Sequence, residues 1–350
     1  MKLCPSRLEP VFNTRPWGAL SLAPLFPQMT GLPEPVGEAW MTGNDSRFAD
    51  GPFAGQTLGH AWSAMPPEWT GTRVQRDAIF PLLVKFIFSE EKLSVQVHPD
   101  DAYAARHEQA AGGHGKTEMW YALRARPGAE VLVGLKPEVT RQAFERAIAE
   151  GTAENCLARV PLTDGDAVFV PSGTAHTIGP GLILCEIQQH SDLTYRVYDY
   201  NRRDAQGRSR HLHIEKALEV MRFGAQKGGK IEPLRMNRGS TNETYFVSCP
   251  YFATERWEFS ERLDASTTPE HFDLLVLLQG GGTISWGRER AAYAPAQVWM
   301  LPAALGGYAL EPDTSTSLLR TYVPSDPAEL ARRLATRGIP EAQSSRLIYS

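Results

Sequence analysis

The spacing Gly165-x5-Pro171-x-Gly173-x2-His176 constrains this chain more than any other feature it carries. Ala167 to Val170 form a short apolar run suited to a buried strand, and Pro171 cannot continue a ladder because it has no N–H to give. Gly173 allows the tight turn that follows, so His176 returns at a set distance from the strand end. The same strand-then-proline plan recurs at Ala296-Gln297-Val298-Trp299-Met300-Leu301-Pro302, with Gly307 where the first copy has His176. This predicts a repeated scaffold whose second copy lacks the imidazole, so that the chemistry belongs to the first half.

The flanking sequence agrees with a β-rich chain. The 30 Gly and 26 Pro are spread along 350 residues rather than massed in one tract, as many short strands and tight turns require. Strands are expected over 82–87, 93–98, 117–123, 131–135, 167–170, 182–188 and 194–198, and in the second half over 245–247, 252–259, 274–278, 283–286 and 298–301. The first 75 residues are punctuated by Pro and Gly, and only short strands around Ala39 to Met41 and Thr57 to Ala61 are expected there. Asp100 is placed to cap a short helix from Ala102 to His107. Thr140, the apolar stripe Phe144, Ala147 and Ile148, and Gly151 mark a helix inserted near 137–151. His213 to Arg222 reads as a helix, and a last one opens at Asp326 and Pro327 and closes at Gly338. Residues 224–239, with Gly228-Gly229 and Pro233, read as a connector between a first domain over 1–223 and a second over 240–350.

Length over about 150 residues per domain is consistent with two domains. A formal charge of −4 and the lack of a basic stripe with interleaved aromatics exclude the footprint of a nucleic-acid binder. The N-terminus leads into no apolar signal core and no stretch is long enough to span a membrane, so the expected location is the cytoplasm and no membrane partner is expected. Cys4, Cys156, Cys185 and Cys249 are scattered without a C-x-x-C pair, which argues for reduced thiols and against a thiolate metal site.

Candidate metal ligands come from three separate stretches. Gln96 and His98 are two apart on a strand and so project from one face, with Val95 and Val97 on the other. Glu118 sits near the start of the next strand, and His176 follows its turn. Two imidazoles, one carboxylate and one amide oxygen suit a borderline ion such as Zn²⁺, one per chain, with positions left open for substrate. The pair His211-x-His213 introduces a helix with no suitably spaced carboxylate and is read as structural.

The Gly165 to His176 spacing is that of the second cupin motif, with Pro180 where Asn is usual, while the first cupin motif is altered to Gln96-x-His98 with Glu118 displaced across an inserted loop. This altered pattern resembles the type I mannose-6-phosphate isomerases, especially their shorter bacterial branch. The resemblance is carried by Ser94-Val95-Gln96-Val97-His98-Pro99-Asp100, Gly115-Lys116-Thr117-Glu118-Met119-Trp120-Tyr121, Val170 to His176, and Ser191-Asp192-Leu193-Thr194-Tyr195-Arg196-Val197-Tyr198-Asp199-Tyr200. Weaker matches stand at Arg15-Pro16-Trp17-Gly18 and Gly37-Glu38-Ala39-Trp40. It implies a mainly β fold of two cupin-type jelly-roll barrels with a small helical insertion. It further implies a zinc-dependent interconversion of mannose 6-phosphate and fructose 6-phosphate, with Gln96, His98, Glu118 and His176 as ligands, Arg196 in the active site, and Lys85 and Lys116 lining the pocket. Two departures bear on substrate preference: Gly115 stands where many relatives have His, and an Ala- and Gly-rich insert runs from Ala104 to His114.

Moving a proton between C1 and C2 through an enediol needs an electrophile at the oxygens and a base at carbon. Lys116 shares the strand face of Glu118 and is the first candidate base, with Asp192, acting through water, the second. Arg196, permanently charged, suits the enediolate or the phosphate. Lys85 lies in the apolar run Pro81 to Ile87 and is expected to point into a wet pocket, while Glu186 and Asp192 are placed to hold substrate or to anchor the site's hydrogen bonds. His98, Glu118 and His176 also satisfy the two-His-one-carboxylate rule of iron oxygenases. A sugar-binding cupin that holds metal without turnover is a third reading.

Overall fold

The computed structural model describes residues 1–74, 79–203, 207–224 and 227–349. Two seven-stranded antiparallel sheets, each rolled against a smaller sheet of five or four strands, make up a mainly β cupin-type architecture. The large sheets pack face to face. Phe86, Met119, Tyr121, Phe169 and Ile187 of the first and Phe246, Val276, Val298 and Leu319 of the second belong to one buried cluster.

That arrangement explains the apolar runs. All eight residues of strand Leu82–Ser89 are buried, because one face lies in the shared core and the other lines the barrel interior. Val84, Phe86 and Phe88 take the core side, so Lys85 and Ile87 point into the barrel. The same alternation sends Glu118 and Trp120 of strand Glu118–Ala125, and Glu186 and Gln188 of strand Leu182–Gln189, to the interior. Pro16 sits in Val11–Ala19, which edges its sheet, where a missing N–H is tolerated.

The helices follow their caps. Asp100 accepts from the Tyr103 N–H at the head of Asp101–His107, and Thr140 accepts from the Ala143 N–H at the head of Arg141–Ala149, which buries Phe144, Ala147 and Ile148. Ile214–Val220 and Glu329–Ala335 fall where helices are expected. One expectation fails. The stretch from Thr57 is no strand: Leu58–Ala64 is a helix, with the Thr57 side chain accepting from the His60 N–H and Leu58, Ala61 and Trp62 buried at helical spacing. Trp62 meets Phe80 and Phe272 edge-on, with ring centroids 5.1 and 5.9 Å away, and a buried ring of this size contributes on the order of 2–3 kcal/mol.

The region 224–239 does more than connect. Gly229–Lys230 pairs with Val168 and Phe169 at the edge of the first large sheet, whereas Leu234–Arg238 already belongs to the second. Residues 225–226 lie outside the described residues. At the other end, Ser6–Leu8 pairs with Val298 to Met300 and so edges the second sheet, not the first. No helix among the described residues is long and apolar enough to cross a membrane.

Candidate active site

His98, Glu118 and His176 converge at the buried end of the first barrel, their donor atoms all within 4.8 Å of one another. Glu118 opens its strand, His98 follows directly on Val95–Val97, and His176 opens His176–Ile178, whose Cα register sets it against Gln96. The Nδ1 of His98 lies 2.7 Å from the Leu193 carbonyl oxygen and that of His176 lies 2.8 Å from the Thr174 carbonyl oxygen. A carbonyl only accepts, so each ring carries its proton on Nδ1 and turns a bare Nε2 inward. Burial keeps both rings neutral, holding His98 well below the usual imidazole range and His176 down at about 4.

The carboxylate faces these nitrogens, with Glu118 Oε1 3.3 Å from His176 Nε2 and Oε2 3.8 Å from His98 Nε2. Oε2 is buried without a hydrogen-bond partner, although the Lys116 ammonium stands 3.0 Å away as a charge. Lys116 Nζ also lies 3.2 Å from His98 Nε2. Gln96 presents its amide nitrogen to His176 Nε2 at 3.3 Å and its oxygen to the Ser94 hydroxyl at 3.3 Å, and a half-turn of the amide exchanges the two. Two bare imidazole nitrogens, an unbonded buried carboxylate oxygen and an adjacent amide are the donor set of a borderline divalent cation. Among the described residues, no such grouping includes His211 or His213; His213 instead lines the cavity, with its Nδ1 accepting from the Arg196 N–H at 3.4 Å.

From this cluster a line of alternating charges runs across the barrel interior. Lys116 Nζ is 3.6 Å from Glu186, Glu186 is 3.2 Å from Lys85, Lys85 is 3.3 Å from Glu38, and Glu38 is 2.6 Å from Arg15. Burial, and then the charge of Glu118, push the Glu186 carboxyl up to about 7. Burial works against the Lys85 ammonium, but Glu186 and Glu38 outweigh it and raise its pKa above the ordinary value.

These groups line a cavity of about 480 Å³. Part of its lining is cationic. Arg196 donates to the Ser94 hydroxyl at 3.1 Å and to the His211 carbonyl at 3.2 Å. Arg210 and Arg202 grip Asp199 from two sides, at 2.7 and 2.6 Å. Burial and then the like charges of Arg210, Arg202 and Arg15 lower the Arg196 pKa, which marks a patch where guanidinium groups outnumber their carboxylates. Asp192 is exposed at the mouth. Gln96, Glu118, Lys85, Lys116, Glu186, Asp192 and Arg196 thus line this cavity, with His98 and His176 at its buried end.

A family model for the catalytic domain of type I phosphomannose isomerase matches residues 6–146. The mannose-6-phosphate isomerase of Streptococcus mutans is 38% identical over 68% of this chain and 73% of its own. The probable mannose-6-phosphate isomerase GmuF of Bacillus subtilis is 36% identical over 88% of this chain and 96% of its own. The crystal structure of the mannose 6-phosphate isomerase from Bacillus subtilis superposes with a TM-score of 0.82 at 30% identity, covering 91% of this chain and 99% of that one. The chain belongs to the type I mannose-6-phosphate isomerase family. It is an isomerase with the family's cupin fold.

Within this type I isomerase, Arg15, Glu38 and Arg210 join the cavity without a signal in the sequence that puts them there, and His213, whose pairing with His211 reads as structural, lines it as well. Arg15 and Glu38 lie in Arg15-Pro16-Trp17-Gly18 and Gly37-Glu38-Ala39-Trp40, so the motifs were visible while their reach into the barrel was not. Arg210 and His213 follow the long motif ending at Tyr200 and enter the cavity only through the fold.

Proposed function

We propose that this chain interconverts mannose 6-phosphate and fructose 6-phosphate through an enediol, with one zinc ion held by Gln96, His98, Glu118 and His176. One observation carries the reading: both imidazoles are anchored through Nδ1 so that their Nε2 atoms and a buried carboxylate face one point, beside a cavity that Arg15, Arg196 and Arg210 also line. A phosphorylated hexose suits this lining, its carbonyl end toward the donors and its phosphate toward the guanidinium groups.

Bound among these donors, zinc would supply Lewis-acid polarisation at the C1 and C2 oxygens of the sugar. Lys116, beside both His98 and Glu118, acts in its neutral amine form as the base that takes the proton from C2 of the open-chain aldose and returns it to C1, while the proton of the C2 hydroxyl passes to the C1 oxygen. The Ser94 hydroxyl bridges Arg196 and Gln96, so Arg196 stands on the donor side of the cationic patch and balances charge developing on the enediol oxygens. Arg210, held rigid by Asp199, and Arg15 receive the phosphate. Lys85 and Glu186 hold the sugar's hydroxyls from the barrel floor, and Asp192 does so from the mouth.

The test is turnover of mannose 6-phosphate, read as fructose 6-phosphate formed, by chelator-stripped chain before and after zinc is added. Loss on stripping and return with zinc supports the proposal. Oxygen uptake with iron would favour oxygenase chemistry, and sugar binding without turnover would reduce the chain to a binding cupin.

A further inference from the structure

Lys116 stands outside any regular element, on a stretch over 114–117 that runs between a glycine-rich loop and strand Glu118–Ala125. A side chain on such a stretch is aimed by whatever holds the neighbouring peptide groups. Here four of them are held in succession. The Ser191 hydroxyl donates to the His114 carbonyl at 3.0 Å, and the Gly115 N–H donates to Asp101 Oδ1 at 2.7 Å. The Lys116 N–H donates to the Pro99 carbonyl at 3.0 Å, and the Thr117 N–H donates to Gln189 Oε1 at 2.9 Å.

Two of these partners are themselves joined. Gln189 donates through Nε2 to Asp101 Oδ1 at 3.0 Å, so the pair grips the main chain on both sides of Lys116. The Gln189 N–H adds a bond to the Thr117 carbonyl at 3.1 Å. A carboxamide suits this place because the Thr117 N–H calls for an acceptor while the Asp101 carboxylate calls for a donor. Gln189 is buried and ends strand Leu182–Gln189, one position out of phase with Glu186, and neither it nor Asp101 lines the substrate cavity. The second barrel reaches the same pair. Tyr251, in the turn between Thr241–Ser248 and Ala253–Phe259, shares with Asp101 a cavity lined from both barrels, where burial and then the Asp101 carboxylate raise the tyrosine pKa.

We infer that Gln189 and Asp101 are positioning residues for Lys116, a clamp on the main chain at either side of it that fixes where its side chain meets the substrate. The inference rests on the reading of Lys116 as the base. It adds that the aim of this base is set from outside the cavity, by groups that never touch the sugar.

Gln189→Leu removes both side-chain bonds at similar volume. Its kcat for mannose 6-phosphate should fall by about 10- to 100-fold, the cost of a misplacement of about 1 Å, with KM within about twofold of wild type and metal content per chain unchanged. A general loss of folded enzyme would multiply with any other defect, whereas an effect exerted through Lys116 cannot. Once Lys116→Ala is in place, adding Gln189→Leu should therefore lower the residual turnover no more than about twofold. Gln189→Glu keeps an acceptor for the Thr117 N–H but sets carboxylate against carboxylate; it should lose activity likewise and regain most of it when Asp101→Asn supplies a donor. This second pair decides the matter if Gln189→Leu yields no folded chain. The inference is overturned if Gln189→Leu keeps wild-type kcat, if its loss multiplies in full with that of Lys116→Ala, or if Asp101→Asn restores nothing to Gln189→Glu. Wild-type turnover by Lys116→Ala alone is a different failure: it would strike the reading of Lys116 as the base, and the clamp's part in catalysis with it.

Discussion

Lys85 and Glu186 are Cα register partners on neighbouring strands, and their charges meet at 3.2 Å with 3% of each side chain exposed. Such a pair, taken out of water, stands or falls as a unit, because removing one member strands the other without solvent or counter-charge. Lys85 is joined on its other side to Glu38, so one ammonium balances two buried carboxylates.

Lys85→Met should therefore lower unfolding stability by about 3–5 kcal/mol in urea titrations. Adding Glu186→Leu to that variant should recover much of the loss, since an apolar pair of similar volume leaves fewer buried charges uncompensated. Equal stability of Lys85→Met and wild type would mean that the pair is not formed in solution.

Arg210 is oriented by Asp199 and belongs to the cationic part of the cavity lining. Arg210→Met should raise KM for mannose 6-phosphate by about 10- to 100-fold, the value of one charge-assisted hydrogen bond to phosphate, with a smaller change in kcat. Steady-state kinetics decide it: a fall in kcat at unchanged KM would place Arg210 at the reacting carbons instead.

Gly115 lies in the turn that brings Lys116 to the site. A Cβ there would stand 2.6 Å from the Asp101 nitrogen and 2.7 Å from the Asp100 carbonyl carbon, both main-chain atoms with little room to move. The Gly115 N–H also donates to Asp101 Oδ1 at 2.7 Å, and the Lys116 N–H to the Pro99 carbonyl at 3.0 Å. Gly115→Ala should cost about 1–3 kcal/mol of stability as these segments are pushed apart and should lower turnover by displacing the Lys116 side chain. Unchanged melting and unchanged kcat together would refute both effects.

The second barrel should carry a pH signature of its own. His271 is faced by Asp273 at the start of the strand that follows it, by Glu329 from the C-terminal helix, by Arg320 across the sheet and by the Tyr322 ring stacked at 4.1 Å. Burial disfavours its imidazolium, but hydrogen bonds to Asp273 and Glu329 win and raise its pKa above 6.5. A raised folded-state pKa means that protonation favours folding. The stability advantage of wild type over His271→Ala should thus be greatest below pH 6.5 and shrink as pH rises through the elevated folded value. Chemical denaturation at several pH values measures it, and an advantage that grows with pH would reverse the sign.

Much of the first barrel could be read from the sequence because its signals are local. The Pro171 and Gly173 turn, the Gln96 and His98 alternation, and the Asp100 and Thr140 caps each depend on residues within a few positions of one another. Glu38 and Arg15 carry no such signal, because the Pro- and Gly-punctuated N-terminal region shows little periodicity and nothing there reports which face looks into the barrel. Thr57 to Ala61 read as a strand because the helix they open is only seven residues long, too short for Leu58, Ala61 and Trp62 to set a clear helical period. The exchange of edge strands between the sheets has no local signature at all, since Ser6–Leu8 owes its place to partners at Val298 to Met300.

That exchange bears on how the polypeptide comes off the ribosome. The stretch that emerges early to become one sheet's outermost ribbon must wait for hydrogen-bonding partners made almost at the end of translation, while the first sheet receives its last ribbon from the middle of the chain. The second half cannot finish alone, so a cut after Lys230 should leave it with a raw, adhesive margin where Ser6–Leu8 belongs rather than yield two independent modules.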